Sequence, residues 1–297
     1  MMMTRPNLSA LAIAALGGGN PSDLATKKRR LACNSWPFRG YFDTPEMRRY
    51  RNPKFPLLRC EDFPEFLADH FGIHQVEFLP QHFNSTAPDY VARVEAGVRR
   101  AHSRVVNLMG VEIPGGLYNP HLDAHAALKA AKIWIDIAVR LGSPSATFPL
   151  SGPRPYHPAV AARNLRPIVV YARTRGVRVL FHNDDIHAES APQILAVLHH
   201  LRAPNAGTCP DFGNFAVRSA AYALWTLRRL MPHAKNICHA KDGIAPDGRH
   251  FYADNFPMSM AVARRDDFAG AYSLEFEGLG DPIPGVHALM EKTLEYM

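Results

Sequence analysis

Four stretches of the sequence join an apolar, β-branched body to a tip of titratable side chains. They are Val177-Arg-Val-Leu-Phe-His-Asn-Asp-Asp185, Thr208-Cys-Pro-Asp-Phe-Gly-Asn214, Ile237-Cys-His-Ala-Lys-Asp242 and Tyr272-Ser-Leu-Glu-Phe-Glu277. Side chains alternate faces along a strand, so His182 shares a face with Asp184, His239 with Lys241, and Glu275 with Glu277. Carboxylates and imidazoles without a thiolate pattern suit one divalent cation of the borderline-to-hard class, Mn²⁺, Zn²⁺, Co²⁺ or Mg²⁺. Ligands delivered from separate strand tips would hold such an ion rigidly and leave positions open for substrate oxygens. Each residue also has a plain structural role open to it. A strand-end histidine is commonly a satisfied core residue, Asp211 before Phe-Gly suits a turn, and Glu275 or Glu277 suits a solvated surface. Recurrence at four successive tips is what favours a site. His199-His200 and the His121–His125 pair fall at helix ends and read as surface features.

The elements that must position these tips alternate steadily. Strands are expected over Arg30–Trp36, Gln75–Leu79, Arg104–Met109, Ser145–Leu150, Val177–Asp185, Gly207–Asp211, Asn236–Lys241 and Ala271–Phe276. Helices are expected over Phe63–Phe71, Pro88–His102, Leu122–Leu141, Ala159–Arg175, Pro192–Leu201, Ala216–Leu230 and Gly285–Tyr296. Pro88 suits a first helical turn, and Gly142 and Gly176 suit helix ends. Eight strands alternating with helices and no evident linker favour an α/β fold, a single (β/α)₈ TIM barrel over residues 28–297. Polar residues at the carboxyl ends of its strands are then Asn34, Glu77, His182 with Asn183 and Asp184, Asp211, His239 with Lys241, and Glu275. The stretch Ile244–Asp267 reads as a long late insertion able to form a lid.

Composition is that of an ordinary globular protein: 297 residues, 47% hydrophobic and 21% charged. The net charge of +7 would suit an anionic partner, but the positive residues are scattered, and the one tight cluster is Lys27-Lys28-Arg29-Arg30. Nucleic acid is therefore not expected as a partner. Four cysteines without paired spacing argue against a disulfide framework or a CxxC zinc module. Residues 1–27 read as a leader peptide or a disordered arm, with Arg5 ahead of the apolar Leu8–Leu16, which leaves both a cytoplasmic and an exported location open. No other stretch is long and apolar enough to span a bilayer.

From Arg30 onward the chain resembles the xylose isomerase-like TIM-barrel superfamily, in its sugar phosphate isomerase/epimerase branch. The resembling marks are Cys33-Asn-Ser-Trp36, Gly72-Ile-His-Gln-Val-Glu77, Asp211-Phe-Gly-Asn-Phe215, His239-Ala-Lys-Asp-Gly243 and Ser273-Leu-Glu-Phe-Glu-Gly278. The resemblance implies one divalent metal bound through residues of strands five to eight. On the matching positions these are Asp211, His239 and Glu275, with Lys241 contacting substrate. The fifth strand departs from the family's Glu-Asn-His and reads His182-Asn183-Asp184. Three readings stay open: His182 replaces the glutamate as ligand and serves as a base near neutral pH, Asp184 is the ligand, or the metal site has decayed.

The resemblance thus implies an isomerase or epimerase acting on a sugar or sugar-like polyol. Glu275 and His182 would move protons beside a carbonyl steadied by the metal. Lys241, Asn34, Glu77 and Asn183 would bind the small-molecule carbohydrate. A dehydratase or lyase on a keto-sugar needs only one retained base and stands as the alternative, followed by a non-catalytic sugar-binding barrel. An apurinic endonuclease ranks last, because no histidines sit on the early strands. A homo-oligomer is compatible with all of these.

Overall fold

Eight short parallel strands form one sheet in the order β6-β5-β4-β3-β2-β1-β8-β7. The computed structural model describes residues 21–184, 189–214, 219–244, 255–278 and 280–297. The strands are β1 Leu31–Asn34, β2 Gln75–Phe78, β3 Arg104–Leu108, β4 Ser145–Thr147, β5 Arg178–His182, β6 Ala206–Cys209, β7 Ile237–Gly243 and β8 Ala271–Glu277. The helices are α1 Pro21–Lys28, α2 Phe63–Phe71, α3 Pro88–Arg100, α4 Ala124–Arg140, α5 Pro158–Thr174, α6 Ala191–Leu201, α7 Ala220–Leu230, α8 Phe256–Arg265 and α9 Pro282–Tyr296. The architecture is the TIM barrel.

Two features close the sheet on itself and bear on the site. Strand β6 stops at Cys209, two residues before the expected Asp211, because Pro210 has no N–H to extend a ladder. Beyond it, His239 donates its backbone N–H to the Pro210 carbonyl at 2.8 Å, and the Phe212 N–H donates to the His239 carbonyl at 3.1 Å. The seam between β6 and β7 therefore closes at the pair Asp211 and His239.

Alternation along the strands sorts the two faces. Leu31, Cys33, Val179, Phe181, Cys238, Ala240, Tyr272 and Leu274 pack outward into the large core shared with the helices. Ala32, Leu180, Ile237 and Ala271 form a small separate cluster with Val106 and Cys209 inside the barrel. The next inward positions, one step toward the carboxyl end, are Asn34, His182, His239 and Ser273. The period-two pattern alone thus turns an apolar barrel floor into a polar upper layer.

Helix ends follow the expected chemistry. Asp123 accepts N–H bonds from His125 and Ala126 at the start of α4, and Gly142 takes φ 71 just past its end, where a side chain would be strained. Two helices, α1 and α8, lay outside the expectation. The stretch 244–267 contains α8, Phe256–Arg265, and not an unbroken loop; residues 245–254 of the expected lid are outside the described residues. The signal was present in Pro257 within a first turn and in the spacing of Phe256, Met260 and Ala263. The same applies at the amino end. Residues 1–20, with the apolar run Leu8–Leu16, lie outside the described residues, whereas Pro21–Lys28 is helical and Leu24 packs on the core. All four cysteines are free and buried. Among the described residues no helix is long and apolar enough to cross a membrane.

Candidate metal centre at the carboxyl end of the barrel

His182, Asp211 and His239 come from three successive positions around the barrel and place one ligand atom each within 4.8 Å of the others. His182 Nε2 lies 3.1 Å from His239 Nδ1, and both nitrogens lie 3.5 Å from Asp211 Oδ2. The Asp-Phe-Gly-Asn turn aims that carboxylate. Asp211 Oδ1 accepts the backbone N–H groups of Gly213 and Asn214, each at 2.7 Å, which commits one oxygen to the turn. Oδ2 is buried and accepts no hydrogen bond from the described residues. Asp211 therefore makes a turn and presents an orphaned oxygen between two imidazoles. An oxygen and two borderline nitrogens converging on one point fit a divalent cation, whose chemistry matches this donor set.

His239 is held so that one nitrogen faces this point. Its Nε2 lies 3.1 Å from both carboxylate oxygens of Glu77 beneath it. A proton on Nε2 shared with that carboxylate leaves the Nδ1 lone pair for the site, the usual arrangement behind a ligating histidine. Burial would lower the His239 imidazole, but the Glu77 and Asp211 carboxylates at its ring raise it well above the ordinary range, so a cation bound at Nδ1 would displace a proton from it. Burial would raise Glu77, and His239 with hydrogen bonds from Asn107 and Ser273 holds it low instead. Cys209 Sγ sits 3.4 Å from His239 Nε2; burial lifts its pKa to about 11, so it stays a neutral thiol.

Glu275 flanks His239 on the β8 side, its Oε2 3.3 Å from Nδ1. Its two oxygens already have partners: Lys241 Nζ at 2.8 Å on Oε1 and Asn34 Nδ2 at 2.5 Å on Oε2. Lys241 is buried and also donates to Asn214 Oδ1 at 2.6 Å, with Glu277 Oε2 at 3.4 Å. Burial would raise Asp211, yet Lys241 and the two imidazoles hold its carboxyl far below the carboxylate range. Glu277 is lowered in the same way, by Lys241 and by the Trp36 indole N–H at 2.6 Å. Glu277 is thus part of the network and not a free surface acid.

Other residues that the sequence placed against substrate are occupied with protein partners here. Asn183 is buried; its Oδ1 accepts the Asp211 N–H at 2.8 Å and its Nδ2 donates to the Asp211 carbonyl at 3.1 Å. It clamps the tip of β5 to the turn after β6. Asn34 accepts the Trp36 N–H at 3.1 Å and steadies Glu275. Glu77 is fully buried and takes Asn107 Nδ2 at 2.7 Å and Ser273 Oγ at 2.6 Å. Asp184 lies beyond the end of β5, in a group with His182 and Glu189. His199, His200, His121 and His125 are exposed, as the sequence suggested.

Glu189 is the residue sequence reading missed. It stands two residues ahead of α6, is buried, and accepts the Leu150 N–H at 2.5 Å. Burial and the neighbouring Asp184 push its carboxyl well above the usual range. A single glutamate at no strand tip carries no pattern that marks it. Ser273 and Asn214 were legible, one by alternation from Glu275 and the other as the end of the Asp-x-Gly-Asn turn.

Solved structures of similar fold include 3-keto-D-glucoside 4-epimerase from E. coli, at TM-score 0.65 and 11% identity over 89% of this chain and 98% of that one. The probable 3-DHS dehydratase from Bacillus anthracis aligns at TM-score 0.61 and 12% identity, over 88% of this chain and 97% of its own. A xylose isomerase-like TIM barrel protein from Mycobacterium smegmatis, in complex with magnesium, aligns at TM-score 0.61 and 12% identity over 91% and 98%. At these identities the likeness is one of fold. No curated protein matches by sequence. The model of the xylose isomerase-like TIM barrel matches residues 64–296, most of the chain, and the chain belongs to that family.

Proposed function

We propose that this protein is a metal-dependent isomerase or epimerase of a sugar or sugar-like polyol. The observation that carries the reading is the orphaned Oδ2 of Asp211, held between His182 and His239 with Glu275 on the far flank. His182, Asp211, His239 and Glu275 would hold the ion, with Asp184 in reach of His182 as the alternative fifth-strand ligand. A bound divalent cation supplies electrostatic stabilisation to an oxyanion developing on the substrate.

The chain's own residues account for the rest. Moving a proton beside a carbonyl needs a positioned base on the face from which it leaves and a donor on the face to which it returns. His182 and Glu275 stand at the two ends of the arc from β5 to β8 and can serve those faces. Lys241 neutralises the Glu275 side of the site and orients Asn214. Asn34, Asn183 and Glu77 keep Glu275, Asp211 and His239 in place, so binding of the carbohydrate falls mainly to Lys241 and to groups above this layer.

One observation favours a dehydratase as the second reading. Glu189 adds a buried carboxyl beside His182 and Asp184, and expelling water requires a group that can protonate the departing hydroxyl. Incubation with ketose and keto-polyol panels in deuterated water separates the two. Deuterium in recovered sugar without loss of water supports proton shuttling between faces. An unsaturated product supports elimination, and neither outcome with metal-loaded protein leaves the sugar-binding barrel.

A further inference from the structure

The opposite end of the barrel carries a feature that the candidate metal centre does not use. Two adjoining cavities of ≈290 and ≈310 Å³ open beside the amino ends of β1, β2, β3, β7 and β8. Arg29, Gln75 and Arg104 line both; Arg30 and Lys235 line the first, and Lys28, His74 and His102 the second. No carboxylate lines either cavity among the described residues. Elsewhere on the surface Arg93, Arg99, Arg140, Arg175 and Lys292 each reach an Asp or Glu. The cations at the barrel floor have no such partner among the described residues.

They are nonetheless held in place. Arg30 donates to the backbone carbonyls of Phe268 and Gly270 and stacks its guanidinium 5.1 Å over the Tyr272 ring. Buried Gln75 bonds the carbonyls of Arg29 and Leu31 with its Nε2 and accepts from Arg104 Nη2 at 2.8 Å with its Oε1. These contacts use backbone and amide acceptors and leave the positive charge uncompensated. An arginine has five N–H donors in a planar fork, so Arg30 and Arg104 keep donors free for a tetrahedral oxyanion. Lys235 lies with its stem across Gly207, where an added Cβ would stand 2.5 Å from it.

We propose that the amino-terminal mouth of the barrel is a binding site for a small phosphate-bearing anion, gripped by Arg29, Arg104 and Lys235 beside the fixed Arg30. Arginine forks match phosphate oxygens bidentately. The cavities are at the small end of the range for small-molecule sites, and their concavity suits a compact anion better than an extended nucleic-acid surface. The site lies at the end of the barrel away from the carboxyl-end centre, so it stands independently of the proposed reaction.

The test titrates inorganic phosphate into metal-stripped wild type and into Arg104→Glu, Lys235→Glu and Arg173→Glu at fixed ionic strength, read by calorimetry and by thermal shift. Arg173 is an exposed arginine on α5 and serves as the charge-matched control. Saturable binding that Arg104→Glu and Lys235→Glu each weaken about tenfold or more, the scale of one charge-assisted hydrogen bond, supports the proposal. Arg173→Glu should bind as wild type does. Absent saturation in wild type, or equal losses in all three variants, overturns it. Preferential binding of an oligonucleotide over phosphate, lost in the same two variants, also overturns it and assigns the surface to nucleic acid.

Discussion

His82 gives the sharpest quantitative prediction, because its surroundings fix which protonation state the fold can hold. The ring is fully buried, stacks on Phe42 at 4.1 Å, and bonds the Ser35 hydroxyl through Nδ1 at 2.7 Å. Its Nε2 is buried without a partner among the described residues, so the charged ring would hold an N–H with nothing to receive it. Burial, with the charge of Arg39 added, lowers its pKa from 6.5 to about 3. A folded pKa below the unfolded one means that the unfolded chain takes up the proton first. His82 therefore costs no stability above about pH 6.5, and its penalty grows as pH falls toward 3. With 1.36 kcal/mol per pH unit, the loss between pH 7 and pH 5 is about 2 kcal/mol. Other groups titrate in that window, and comparison with His82→Asn isolates this one. Urea unfolding of both proteins at pH 7 and pH 5 should show the stability gap between them narrowing by about 2 kcal/mol at the lower pH. An unchanged gap would mean that the folded protein holds a charged imidazole there and would refute the reasoning. The contact matters to the site, since Ser35 lies between Asn34, which steadies Glu275, and Trp36, which bonds Glu277.

Three further outcomes follow from the site and the fold. Wild type should bind about one divalent ion per chain by elemental analysis and titration, and Asp211→Ala should weaken it at least as strongly as the 10–100-fold typical of losing a supporting group; unchanged occupancy would sink the assignment of Oδ2. Glu77→Gln, without touching the ion, should lower metal affinity by about 10–100-fold and destabilise the fold by roughly 3 kcal/mol, because His239 loses its buried counter-charge. Equal metal affinity in that variant would show that Glu77 does not orient His239. Gly97→Ala would place a Cβ 1.9 Å from the Glu61 carbonyl oxygen where α3 meets the segment before α2. Displacing that helix should cost about 1–3 kcal/mol in denaturant unfolding, and a neutral substitution there would mean the helix stands further away.

Much of the molecule was readable from its residues. Apolar strand bodies at a regular spacing gave the number and order of strands, and alternation gave the inward faces of β5, β7 and β8. That periodicity is local, a property of the extended backbone, and survives without any tertiary information. It therefore placed His182, His239, Lys241 and Glu275 at one end of one barrel. Two things lay outside the reading of strand tips: α8, whose helical spacing sat inside a stretch taken as one insertion, and Glu189, a single acid just ahead of α6.

The division of labour among the site residues belongs to the tertiary structure. Sequence order cannot say that Glu77 and His239, 162 positions apart, share a proton. Nor can it say that Asn34 and Lys241 occupy the two oxygens of Glu275, or that Asn183 spends both arms on the Asp211 backbone. Hydrogen bonds saturate, and which partner takes each donor depends on which strands the closing barrel brings side by side. The sequence by itself determined the strand tips and the chemistry they carry. Closure at the seam between Asp211 and His239 decided which tips face one another, which oxygen is left without a partner, and which residues hold the others in position.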